Sequence, residues 1–264
     1  MLRMRRREMQ PRDRYWSIVA GASFVVTAVG WLIFNEQRRR ARSAFLNSLM
    51  HWPPHTRKWI SALWRSWNTL WVDPWGRYRQ RVAGDATGDV LEIGVGSWRN
   101  LIYYRSAERL VGIEASRRHF AAARRRLRRL RPQAELVRAR PERLPFPDAS
   151  FDTVVASLSL CTVRDQQATM EELARVLRPC GTLRFLEHVR SHRHSVALMQ
   201  DLLTPFWRIA VDGCHPNRDT LAAIEQAGFV VVSLESLRVP AGPLLPTLCG
   251  VARRCHDHAG EDVP

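Results

Sequence analysis

The run Val90-Leu91-Glu92-Ile93-Gly94-Val95-Gly96 joins an apolar strand, an acid and a Gly-x-Gly turn. Glycines there let the backbone turn sharply and approach a ligand where a Cβ would clash. Eighteen residues after Gly96, Glu114 ends a second apolar run, Leu110–Glu114. A carboxylate at such a strand end can accept both ribose hydroxyls of an adenosine. Gly-x-Gly alone is common, and a strand-end acid is often only a solvated charge. The order of turn, helix, strand and terminal acid favours the binding reading. The five cysteines, Cys161, Cys180, Cys214, Cys249 and Cys255, form no C-x-x-C pair, so zinc ligation is poorly supported, and their odd count and scattered placement argue against a disulfide framework. No metal is expected, and the cysteine usage reads as a reducing compartment.

Two further stretches carry more information. Glu142-Arg143-Leu144-Pro145-Phe146-Pro147-Asp148-Ala149-Ser150-Phe151-Asp152 leads into a strand, and Leu177-Arg178-Pro179-Cys180-Gly181-Thr182-Leu183 forms a turn before another. With these motifs, residues 89–188 resemble the class I S-adenosylmethionine-dependent methyltransferases of the type 11 group. A narrower likeness rests on Ser159-Leu160-Cys161-Thr162-Val163, Phe185-Leu186-Glu187-His188-Val189 and Asp212-Gly213-Cys214. These resemble the membrane-associated methyltransferase-like subgroup that includes alkyl-thiol methyltransferases and carries an N-terminal hydrophobic anchor.

The resemblance implies S-adenosyl-L-methionine as cofactor. It places Glu92, Gly94 and Gly96 along the methionine side, Glu114 at the ribose, Glu142 beside the adenine, and Ser157 and Leu158 facing the sulfonium. Two positions depart from the family pattern. Trp98 stands where a third glycine is usual, and Cys180 where Pro-Gly-Gly is usual. An indole at 98 would crowd the methionine end, tilt the following helix, or point towards the acceptor pocket. Cysteine enters positive φ at a cost that glycine avoids.

Methyl transfer from a sulfonium asks mainly for in-line positioning of the acceptor. A thiol loses its proton readily near neutrality, whereas an oxygen or amine gains more from a base. His188, at the end of the fifth strand, is the candidate base; a structural histidine is the alternative. Asp212 and Cys214, with Trp98, are candidates for the acceptor pocket, or 212–214 is simply a turn at Gly213.

Positioning these residues requires alternating strands and helices. Strand-like runs are Val90–Ile93, Leu110–Glu114, Glu135–Arg138, Thr153–Ser157, Thr182–His188, Phe229–Leu234 and Thr247–Arg253, the last weakened by Gly250. Helical runs fall at about 116–130, 165–177 and 219–227. The alternation predicts an α/β, Rossmann-like, doubly wound sheet of seven strands over residues 77–264.

Two segments precede that domain. Residues 1–50 hold basic flanks around an uncharged run at 15–34, long enough at ~1.5 Å per residue to cross a ~30 Å hydrocarbon core. A transmembrane or membrane-anchoring helix is expected there. Residues 51–76 carry Trp52, Trp59, Trp64, Trp67, Trp71 and Trp75 at largely helical spacing. This predicts an amphipathic helix that caps the site and touches lipid.

The formal net charge is +16, and Lys58 is the only lysine, so the excess is arginine. Such a bias raises nucleic acid as a partner. Against it, the fourth strand ends Ala156-Ser157-Leu158-Ser159, without the D/N-P-P-aromatic turn of base-amine methylation. The stronger expectation is methyl transfer to a small apolar acceptor (a thiol, a lipid headgroup amine or a quinone-like compound) at a membrane, with the catalytic domain facing the cytosol. The rival is a non-catalytic membrane-bound domain.

Overall fold

The computed structural model describes residues 75–237 and 245–254. The expected anchor at 15–34 and nearly all of the Trp-rich stretch lie outside these residues. Among the described residues no helix is long and apolar enough to cross a membrane.

Helix α1 (Gly76–Gly84) leads into β1 (Thr87–Ile93), a 3-10 turn (Arg99–Ile102), β2 (Ser106–Ile113), α2 (Arg117–Leu130) and β3 (Glu135–Val137). Then follow β4 (Phe151–Ser157), α3 (Gln166–Val176), β5 (Leu177–His188), α4 (His194–Ala210), α5 (Thr220–Gln226), β6 (Val230–Leu237) and β7 (Thr247–Arg253). The seven strands form one sheet in the order β3-β2-β1-β4-β5-β7-β6. β3, β2, β1, β4 and β5 run parallel, and β7 is antiparallel to both β5 and β6. This is the expected doubly wound sheet. Its order reverses between β1 and β4, where such sheets open a crevice at the carboxyl ends of the strands.

Parallel strands covered on both faces need apolar residues at successive positions. In β1, Leu91 and Ile93 join one core with Phe151, Val154, Met170 and Leu173, whereas Val90 joins the other with Tyr78, Val82, Ala123 and Leu127. On α2 only Ala123 and Leu127 are buried, so most of its arginines form a solvated face. Gly250 does not break β7. A Cβ there would meet Phe185 Cζ at 2.6 Å and the Ser233 carbonyl at 2.7 Å, so the strand needs glycine for close packing.

One expectation is corrected, and one helix was not foreseen. No α-helix follows the Gly-x-Gly turn; the chain makes one 3-10 turn instead. Helix α1 was not legible, because its sequence GRYRQRVAG buries only Tyr78, Val82 and Ala83 and shows no clear apolar stripe.

Candidate active site

At the β1/β4 reversal lies a cavity of about 760 Å³. Gly94 and Gly96 line it from the first turn, Glu114 from the end of β2, Glu142 from the loop before β4, and Leu158 and Ser159 from the end of β4. Gly94 (φ 59°) and Gly96 (φ 56°) both lie in the left-handed region. A Cβ on Gly96 would have nothing within 4 Å, so glycine leaves that space to the cavity. Glu114 accepts from the Gly96 and Ser116 amides, each at 2.8 Å. Each carboxylate oxygen therefore keeps a second lone pair for a hydroxyl. The Glu142 carboxylate accepts from the amide of Arg164 at 2.8 Å, which ties the loop before β4 to the residues just ahead of α3. These features fit an adenosyl group.

The loop bearing Glu142 is held by Arg175 on α3. Its guanidinium donates to the carbonyls of Phe146 and Leu144 at 2.8 and 3.2 Å and to Asp148 at 2.8 Å. Glu172 accepts from the Leu144 amide at 2.6 Å and from Arg175 Nε at 2.7 Å. The Leu-Pro-Phe-x-Asp motif is thus a loop pinned by one arginine.

Glu92, expected along the cofactor, is placed elsewhere. It is 3% exposed and does not line the cavity. It accepts from Trp98 Nε1 at 2.8 Å, Asn100 Nδ2 at 2.8 Å and the Tyr104 hydroxyl at 2.7 Å. Burial raises its carboxyl to about 7, against the pull of Tyr104, Trp98, Arg79 and Asn100. Trp98 explains this. The residue keeps the left-handed backbone of the glycine it replaces, φ 54°, and its ring is fully buried. The indole lies over Gly112, where a Cβ would meet Cζ2 at 2.6 Å. Trp98 therefore neither crowds the cavity nor lines an acceptor pocket. Ser157 also faces away, accepting from Arg79 Nη1 at 3.0 Å.

At the other end, Leu158 (φ 56°), Thr162, Asp212 (φ 44°) and Gly213 line the cavity. Asp212 Oδ2 stands 3.6 Å from His119 Nε2, across the cavity from α2. His188 and Cys214 do not line it. His188 is 7% exposed, and Trp75 meets it edge-to-face at 5.6 Å. Its Nδ1 lies 3.8 Å from Cys161 Sγ and 3.5 Å from Cys214 Sγ. The position expected for a base on the acceptor is therefore turned towards two thiols. The sulfurs are 3.5 Å apart. The hydrogen bond with Cys161, and then that with His188, draws the Cys214 thiol down to about 6, while the Cys214 hydrogen bond and burial hold Cys161 well above the ordinary thiol range. The expectation of scattered cysteines is corrected here, since two of them meet one histidine.

Glu187 has no role in the sequence reading, yet it organises this end. Fully buried, it accepts from the amides of Ser159 and Leu160 at 2.8 Å and of Cys161 at 3.2 Å. Burial pushes its carboxyl up, and those three amides pull it back. The signal was an acid inside an apolar strand, which demands buried donors.

The methyltransferase domain family matches residues 91–185. The thiol S-methyltransferase TMT1B of Homo sapiens is 31% identical over 175 residues, which cover 63% of this chain and 72% of that protein. The thiol S-methyltransferase TMT1A of Homo sapiens is 30% identical over 155 residues, covering 57% of this chain and 64% of its own length, just under two thirds. Among solved structures, an S-adenosylmethionine-dependent methyltransferase from Mesorhizobium loti superposes with a TM-score of 0.54 at 19% identity, over 69% of this chain and 98% of that one, a likeness of fold. With the glycine-floored cavity and the family match on the same residues, the chain belongs to the class I S-adenosylmethionine-dependent methyltransferases, and S-adenosylmethionine is its cofactor.

Proposed function

We propose that this enzyme methylates the sulfur of a small apolar thiol that reaches the cavity from a membrane. The observation that carries this reading is the acceptor end of the cavity. Leu158, Ser159, Thr162 and Gly213 stand there, and His188 is turned away from it. Asp212 is the lining acid at that end, and it faces His119. With Asp212 engaged by His119 and His188 turned away, the wall positions an acceptor more than it deprotonates one, which suits a thiol best. The likeness to thiol S-methyltransferases supports the same choice.

The bound cofactor supplies an electrophilic methyl group. Glu114 holds the ribose, the Gly94–Gly96 turn passes beneath the methionine portion, and Glu142 lies at the adenine end. The uncharged run at 15–34 anchors the chain, and the Trp-rich stretch rests on the interface, with the domain on the cytosolic side. A panel of alkyl thiols, amines and phenols, offered with methyl-labelled cofactor, tests the acceptor class. Label is expected in the thiols. Incorporation confined to amines or phenols would replace this reading with a lipid-amine or quinone-type one.

A further inference from the structure

Cys161, His188 and Cys214 come from the loop after β4, the end of β5 and the turn after α4, yet their ligand atoms form a nearly equilateral triangle. The edges are 3.5 Å between the sulfurs and 3.8 and 3.5 Å from Cys161 and Cys214 to His188 Nδ1. A tetrahedral zinc ion with Zn–S of about 2.3 Å and Zn–N of about 2.0 Å needs edges of about 3.8 Å between sulfurs and about 3.6 Å from sulfur to nitrogen. The triangle meets that requirement to within about 0.3 Å.

The surroundings are built to hold it. Both thiols are 1% exposed. Three amides on Glu187 fix the Cys161 loop, and the Cys161 carbonyl accepts from the His215 amide at 2.7 Å, which ties the two cysteine-bearing loops together. The Nε2 of His188 is buried with no hydrogen-bond partner among the described residues, so Nδ1 is the nitrogen aimed at neighbours, and it faces the two sulfurs. Among the described residues no fourth Cys, His, Asp or Glu joins the group. Three protein ligands are the pattern of a zinc site that leaves a position for a substrate; four protein ligands are the pattern of a structural one. Cys161, His188 and Cys214 do not line the cavity themselves, but each cysteine is the chain neighbour of a residue that does, Thr162 for Cys161 and Gly213 for Cys214.

We propose that Cys161, His188 and Cys214 bind zinc and that the fourth position takes the acceptor sulfur as a thiolate. This deepens the thiol reading given above and rests on it. Zinc binding replaces the S–H bonds of Cys161 and Cys214, whose protons leave to water; the acceptor S–H bond breaks as its sulfur bonds to zinc, and its proton leaves the same way. That sulfur then attacks the methyl carbon as the methyl–sulfonium bond breaks, the bonding pair staying on the cofactor sulfur. The thioether product is neutral and a weaker ligand, so it leaves. Zinc changes no oxidation state.

The test uses the full chain, purified in detergent under reducing conditions. Zinc is measured by plasma mass spectrometry and then exchanged for cobalt(II), whose absorption reports its ligands. About one metal per chain is expected, as are thiolate-to-cobalt charge-transfer bands and strong visible bands of a four-coordinate ion. An alkanethiol added without S-adenosylmethionine should shift those bands. Cys161→Ser and Cys214→Ser should each lose most of the metal; if either folds poorly, the wild-type cobalt spectrum decides. A reduced wild type that takes up neither zinc nor cobalt overturns the proposal. So does a cobalt spectrum that thiol leaves unchanged. Thiol methylation by metal-free protein would keep the proposed function and sink the site. Thiol-sensitive cobalt bands without any methyl transfer would keep the site and sink the function.

Discussion

Glu114 occupies one lone pair of each oxygen with the amides of Gly96 and Ser116, so it is oriented before any ligand arrives. Glu114→Ala should weaken cofactor binding by roughly 1.5–3 kcal/mol, the range for hydrogen bonds to a charged group. Calorimetry on a variant with unchanged circular dichroism checks this, and unaltered affinity would remove Glu114 from the ribose. Glu92 behaves differently. Its folded value of about 7 lies above the ordinary 4.5, so the folded state holds the proton more tightly. Its contribution to stability is therefore full below pH ~4.5 and is lost as pH rises through ~7, about 3 kcal/mol in all. Glu92→Gln lacks that slope. Urea unfolding of both proteins should show the variant gaining on wild type by that order between pH 5 and pH 8; parallel profiles would mean that Glu92 stays ionised when folded. Trp98→Gly should destabilise by about 3–5 kcal/mol, because it empties a filled core site and removes one of the Glu92 donors. A Trp98→Gly protein as stable as wild type would contradict the buried placement.

At the scale of elements, both departures from the family pattern, Trp98 and Cys180, keep the left-handed backbone of the glycines they stand for. Cys180 lies at φ 58° at the surface, early in β5. Cys180→Gly relieves left-handed strain of about 1–2 kcal/mol and loses part of that to unfolded-state entropy. A net gain of about 0.5–1 kcal/mol is expected in chemical denaturation. The strands were legible because apolar runs bounded by turns stand out in a sheet covered on both faces. The place of Glu114 was legible for the same reason, as the acid that closes such a run. Glu92 was misplaced because motif position carries backbone, not side-chain partners. Asn100, Tyr104 and the indole of Trp98 meet it only after the 3-10 turn folds back. The convergence of Cys161 and His188 follows from β4 and β5 being parallel neighbours, whose following loops emerge at one edge. Cys214 arrives through α4, which no spacing rule reveals.

For the molecule as a whole, the domain fold accounts for the cofactor and for methyl transfer, and under the proposed function the uncharged run at 15–34 holds the domain where an apolar acceptor dissolves. Residues 15–34 should keep the full chain in the membrane fraction through high-salt and carbonate washes. Release by either wash would reduce the attachment to a peripheral one. Transfer to sulfur is tested within a single molecule by one acceptor. An aromatic compound bearing both a thiol and an unprotonated amine is offered with deuterated-methyl cofactor, and the product is read by tandem mass spectrometry. The expected product carries the label on sulfur, and Glu114→Ala makes less of it at limiting cofactor. Label on nitrogen with the thiol left free would contradict the account.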